Sequence, residues 1–261
     1  MAQHIVELWR YPYADFAPSA GAYEEICEAL RERGTKQLEE FVKNHTLAEI
    51  QPELVVQQGM AADSILSLAQ AQKTDVIVMG THGRRGFDRL MLGSVTDRVM
   101  RRAPCPVLAV CKPPQDSMAA GKEQDDVHHL SRILFCTDFS ANSERALNYA
   151  ISTTAHYDAE LTLLHVLEDV PSSANVEEAI ATATGQLHKL ISPEERKTLT
   201  IKTTVRIGKP YMQIIQLALE ARTDLVIMAV RGRGSLDLAV FGSTTYRVIQ
   251  LGPCPVLAVH I

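Results

Sequence analysis

Offset by 149 residues, the chain matches itself. The stretch Asp75–Val110 aligns without a gap with Asp224–Val259, and 17 of the 36 paired positions are identical. Outside it, Gly59 pairs with Gly208 at the same offset, so the ungapped repeat covers at least 59–110 and 208–259. Self-similarity at one fixed offset limits the fold more than any single motif, because both copies must satisfy one architecture. Two copies are too few for a solenoid and point to two domains or two halves of one body.

Each repeat opens on an apolar run, Val76–Met79 or Leu225–Met228, suited to a strand buried on both faces. Glycines follow (Gly80, Gly83, Gly86 in the first copy), then Gly93-Ser94-Val95-Thr96 or Gly242-Ser243-Thr244-Thr245, which opens a helical pattern. Pro-Cys-Pro and a second apolar run, Val107–Val110 or Val256–Val259, close the repeat. A strand, a glycine loop and a helix beginning at Gly-Ser have the chemistry of an anion site. Glycine lets backbone N–H groups approach a phosphate, and the helix N-terminus adds positive potential.

The second copy reads as βαβαβαβαβ. Arg132–Thr137 is a short apolar strand ending at Asp138, and Ser140 or Asn142 can cap a helix over 143–156. Strands are expected at Leu161–Val166 and 200–206, with helices over 176–191 and 211–221. Strands separated by helix-length crossovers imply a parallel, doubly wound sheet. Residues 112–131, KPPQDSMAAGKEQDDVHHLS, read as a linker. The first copy is incomplete. Counting back from its glycine loop, the strand His4–Trp9 corresponds to Leu161–Val166, and the counterpart of Asp138 would fall before Met1. The gap is expected to close by pairing of His4–Trp9 with Val76–Met79 or beneath a partner chain, unless the start is truncated relative to a longer natural protein.

Net charge is −5 and evenly spread: residues 1–112 carry 13 Lys/Arg against 14 Asp/Glu, and 131–261 carry 12 against 13. No nucleic-acid partner is therefore expected. No apolar run is long enough to span a bilayer and no signal-peptide pattern opens the chain, so a cytoplasmic protein without a membrane partner is expected. Cys27, Cys105, Cys111, Cys136 and Cys254 show no CxxC spacing and read as small hydrophobes. The nine histidines show no ligand spacing, so no metal site is predicted.

Gly80-Thr81-His82-Gly83, nine residues, then Gly93-Ser94 resembles the nucleotide signature of the universal stress protein family: Gly, two residues, Gly, nine residues, Gly, Ser or Thr. The second copy reads Ala229-Val230-Arg231-Gly232, nine residues, Gly242-Ser243. Phe135–Ser140 and Leu163–Val166 resemble that family's first and second strands, and Gly208-Lys209-Pro210 and the Pro-Cys-Pro-Val-Leu strands also fit. The resemblance implies an α/β chain of two doubly wound, Rossmann-like domains in tandem. The first, 1–111, lacks its opening strand and helix; a linker covers 112–130; the second, 131–261, is complete. For the second domain it implies adenine-nucleotide binding, ATP above all. Asp138 and Val166 would lie at the adenosine end, Gly232, Gly242, Ser243, Thr244 and Thr245 would meet ribose and phosphates, and Thr137 and Met228 would also belong to the nucleotide site. Ser243 is also expected to cap its helix. For the first it implies at most a phosphate loop at Met79, Gly80, Gly83, Gly93, Ser94, Val95 and Thr96. Ala229 is tolerable where φ is negative and obstructive where φ is positive.

No Walker loop or hydrolase triad is present, so Mg enters only as the nucleotide's counter-ion and catalysis is at most a slow ATPase. The expected role is a cytoplasmic stress-response protein. The alternative is a nucleotide-free interaction or dimerisation module on the same fold. Adenylyl transfer is a third reading, with no motif behind it. Because apolar edge strands invite pairing, the two closing strands are expected to pair within the chain, with a homodimer of whole chains beyond that.

Overall fold

The structure, a computed structural model, describes residues 1–6, 20–45, 50–81, 92–111, 130–168, 175–231 and 242–260. Gly83, Gly86 and Gly232, residues 7–9 of the first expected strand and nearly all of the linker lie outside these. The chain forms two compact units, Met1–Lys73 and Thr74–Ile261.

In the second unit a seven-stranded sheet runs in the order β3-β4-β9-β8-β5-β6-β7. The complete copy supplies β5 (Arg132–Cys136), β6 (Glu160–Leu167), β7 (Thr200–Ile207), β8 (Leu225–Ala229) and β9 (Val256–Val259). Between them run α4 (Ala141–Tyr157), α5 (Val176–Lys189), the short α6 (Pro193–Thr198), α7 (Pro210–Glu220) and α8 (Ser243–Leu251). All neighbours within this copy are parallel, as the crossover lengths require. The strand β5 is central, with Phe135 opposite Leu163 of β6 on one edge and Ile227 of β8 on the other. All five residues of β8 are buried, which explains its unbroken apolar sequence. Ile133 and Phe135 pack with Ala146, Leu147 and Ala150 of α4 in the main core, each such large side chain contributing roughly 1.5–3 kcal/mol. At the start of the sheet, Asp224 Oδ2 accepts from the N–H groups of Ser131 and Arg132 at 3.0 and 2.8 Å, tying β8 to β5. Burial pushes the thiols of Cys136 and Cys254 up, the latter to about 12, so both behave as apolar filler.

The first copy divides. Its β1 (Ala2–Val6) pairs in parallel with β2 (Leu54–Gln58) as a two-stranded sheet in the first unit, beside α1 (Ala20–His45) and α2 (Ala61–Ala71). The register keeps the repeat: His4 stands opposite Val56, as His165 stands opposite Val205. Gly34 lets α1 approach this pair, since a Cβ there would lie 3.0–3.3 Å from His4, Val6 and Val56 side chains. The other two strands, β3 (Ile77–Gly80) and β4 (Val107–Val110), join the seven-stranded sheet with α3 (Ser94–Arg102) between them. In place of the expected pairing of β1 with β3, the strand pairs found among the described residues are β1 with β2 and β3 with β4. In the second copy β5 lies between β6 and β8, the equivalents of β1 and β3. The expected two-sided burial of the first glycine-loop strand also fails, because β3 is a sheet edge with Val78 61% exposed.

The closing strands do pair within the chain. β4 and β9 run antiparallel with Val107 opposite Ala258 and Ala109 opposite Val256, making one continuous sheet from both copies. Beyond β9, His260 Nε2 donates to the Met100 carbonyl of α3 at 2.6 Å, and burial, the largest cause, holds the imidazole pKa below its ordinary 6.5. The unfolded chain therefore takes up a proton that the folded chain resists. Stability should be full above about pH 6.5 and fall as the pH drops towards the lowered folded value. His260→Gln keeps a donor for Met100 but cannot titrate; urea unfolding from pH 7.5 to 5 should show a shallower loss in the variant than in the native chain.

Candidate functional site

In an open parallel sheet, ligands favour the crevice at the carboxyl ends of the strands where the winding direction reverses. Here the chain runs β5, β6, β7 to one side and then crosses back to β8 on the other side of β5, so the reversal lies between β5 and β8. Two polar turns leave the sheet at that point.

The first follows β5. Thr137 is buried, its N–H donating to the Leu164 carbonyl at 3.0 Å and its Oγ1 lying 2.8 Å from Ser143 Oγ. Phe139 takes a left-handed backbone, φ 59°, which costs a bulky side chain about 1–3 kcal/mol and persists only where neighbours enforce it. They do. The Phe139 N–H donates to Thr137 Oγ1 at 2.9 Å, and its ring lies 4.3 Å from the His165 ring, centre to centre. His165 Nδ1 in turn donates to the Thr137 carbonyl at 2.8 Å. Asp138, half-buried, is not the helix cap: its Oδ1 accepts from Ser140 N–H and Oγ at 3.0 and 2.6 Å, and Ser140 caps α4 by accepting from Ser143 N–H. A three-residue turn thus holds the carboxylate at the tip of the central strand. No sequence signal separated His165 or Ser143 from ordinary strand and helix residues, because their role depends on β5 and β6 being neighbours.

The second turn follows β8 and is built twice. Thr245 Oγ1 donates to the Ala229 carbonyl at 3.0 Å, and Thr96 Oγ1 to Gly80 at 3.0 Å. Gly242 N–H donates to Val230 at 3.1 Å, and Gly93 N–H to Thr81 at 3.0 Å. Ala229 lies in β8 opposite Val259 and without positive φ, so its methyl meets no left-handed strain. The expected cap is corrected: Gly242, not Ser243, is the N-cap of α8, with no side-chain cap bond, as is Gly93 for α3. Ser243 is the first helical residue and exposed, Thr244 half-buried and Thr245 buried. In the first copy Ser94 is likewise exposed, with Val95 half-buried and Thr96 buried.

Of the other expected residues, Met228 is buried in β8 opposite Cys136 and Ala258. Val166 is half-buried in β6 opposite Arg206, and Met79 half-buried in β3. At the carboxyl ends of β8 and β9 lies a cavity of about 510 Å³ whose walls include Asn142, Val230, Arg231 and His260. Among the described residues no group of three His, Cys, Asp or Glu is placed to hold a metal ion.

Gly242 is needed for room rather than for positive φ: a Cβ there would sit 2.9 Å from the Val230 carbonyl oxygen. Gly242→Ala should destabilise the chain by about 1–3 kcal/mol. Gly185→Ala, in open space within α5, should stabilise it by roughly 0.5–1 kcal/mol. Urea unfolding of both variants checks the pair.

The profile of the universal stress protein family matches residues 1–110 and 129–260. A universal stress protein of Methanocaldococcus jannaschii is 38% identical over 99 residues, covering 38% of this chain and 58% of the relative, so the chain spans less than two thirds of that protein. One of Mycobacterium tuberculosis is 27% identical over 218 residues, 79% of this chain and 68% of the relative. Among solved structures, a universal stress protein from Archaeoglobus fulgidus superposes with a TM-score of 0.61 at 21% identity, over 98% of this chain and 83% of that one, a likeness of fold. With both repeats inside the matched ranges, the chain belongs to the universal stress protein family.

Proposed function

We propose that the protein binds an adenine nucleotide, ATP first among them, in its second copy and acts in a cytoplasmic stress response without robust catalysis. The observation that carries the reading is the convergence of two polar turns at one crevice. The strained Thr137–Ser140 turn holds Asp138 at the end of β5, and the Gly242–Thr245 turn opens α8 at the end of β8. A carboxylate at one end suits hydrogen bonding to the sugar or base. A helix N-terminus without a side-chain cap suits phosphate at the other. Thr137, Val166 and Met228 belong to the same nucleotide site in this reading, and Gly232, outside the described residues, is expected to meet ribose and phosphates.

The first copy keeps the same turn at Gly80, Gly93 and Thr96, which in this reading offers phosphate contacts. The division into a first copy over 1–111 and a second over 131–261, joined through 112–130, belongs to the same reading, as does a homodimer of whole chains. A nucleotide-free interaction module is the second reading, and the β4–β9 seam favours it, since that sheet holds the copies together without a ligand.

Calorimetric titration separates them. The native chain should bind ATP, and Asp138→Ala should weaken binding about tenfold or more. No heat with ATP or AMP leaves the interaction module. Full-strength binding by Asp138→Ala moves the site away from the second copy.

A further inference from the structure

The cavity at the ends of β8 and β9 has a wall from the first copy. Arg101 and Arg102, in the last turn of α3, line it together with Asn142, Val230, Arg231 and His260 of the second copy. Three arginines therefore line one space of about 510 Å³ beside the turn that Gly242 makes with the Val230 carbonyl. The His260–Met100 hydrogen bond pins the end of α3 there. Asp97 holds Arg101 in a two-point pair, both contacts 3.0 Å, which fixes its guanidinium on the helix.

Basic residues in a helix's last turn commonly do no more than offset the helix dipole. The repeat argues against that here. At the 149-residue offset Arg101 and Arg102 correspond to Gln250 and Leu251, and α8 ends in the same place with no basic residue in its last turn. The antiparallel seam brings the end of α3 to this cavity at the ends of β8 and β9, which Asn142 of α4 also lines, so the arginines stand against the copy that owns Asp138. Their counterparts on α8 are neutral.

We propose that Arg101 and Arg102, with Arg231, form the polyphosphate subsite of the second copy's nucleotide site, so that the first copy serves as an accessory to the second. This rests on the nucleotide reading above. Guanidinium groups recognise phosphate oxygens by paired, charge-assisted hydrogen bonds, which makes the subsite selective for a polyphosphate tail over a bare nucleoside.

The test is calorimetry on the full chain with ATP, adenosine and inorganic tripolyphosphate, comparing the native protein with R101Q/R102L. That variant carries the residues α8 already bears at the same positions, and a thermal melt confirms its fold. The expected result is ATP binding weakened about tenfold or more with adenosine binding unchanged. Equal ATP affinity in both proteins overturns the subsite and leaves the nucleotide reading standing. Tripolyphosphate bound without ATP, and lost in the variant, keeps the anion cavity and removes the nucleotide reading. Tripolyphosphate bound equally by both overturns the cavity, and neither ligand bound by the native chain overturns both. Should R101Q/R102L fail to fold, R231H, which installs the first copy's His82, is read by the same criteria.

Discussion

A parallel strand in the middle of a sheet must satisfy backbone groups along both edges, and β5 does so for the whole second copy. Its residues pair with β6 on one side and β8 on the other, while Ile133 and Phe135 anchor the main core. Asp224 fastens β8 to its start, and the Thr137–Ser140 turn leaves its end. In the first copy β1 and β2 form a two-stranded sheet, and β3 is an edge of the seven-stranded one with Val78 exposed.

The β4–β9 seam then settles what remains of the first copy. Two short apolar strands, each preceded by Pro-Cys-Pro, would be pairing hazards if left bare, and each covers the other. The antiparallel arrangement has a second effect. It carries the end of α3 to the carboxyl end of β9, where His260 binds the Met100 carbonyl. The Arg-Arg pair at the end of α3 thereby lines a cavity with second-copy residues, where α8 carries Gln-Leu at the equal positions.

At the crevice itself, strain and support are matched. Phe139 occupies a conformation that a bulky residue avoids, and Thr137, His165 and its own ring stacking hold it there. The glycine turn works in the opposite way. Gly242 relieves crowding against a carbonyl, and Thr245 locks the helix to the strand it follows.

Much of this was legible beforehand. The order of strands and helices in the second copy, the fold class and the pairing of the closing strands all follow from hydrophobic period, breaker residues and a fixed offset, which are local properties of the chain. Even the unforeseen α6 was signalled by Ser192-Pro193-Glu194-Glu195, a capping box with proline at the first helical position. The sequence by itself determined what each copy contains. Tertiary contacts settled the rest: the β4–β9 pairing in one sheet, Gly242 rather than Ser243 as the cap of α8, the support of His165 for the Asp138 turn, and the α3 arginines on a cavity shared with Val230 and Arg231. Those outcomes depend on contacts between residues far apart in the chain, which no local pattern encodes.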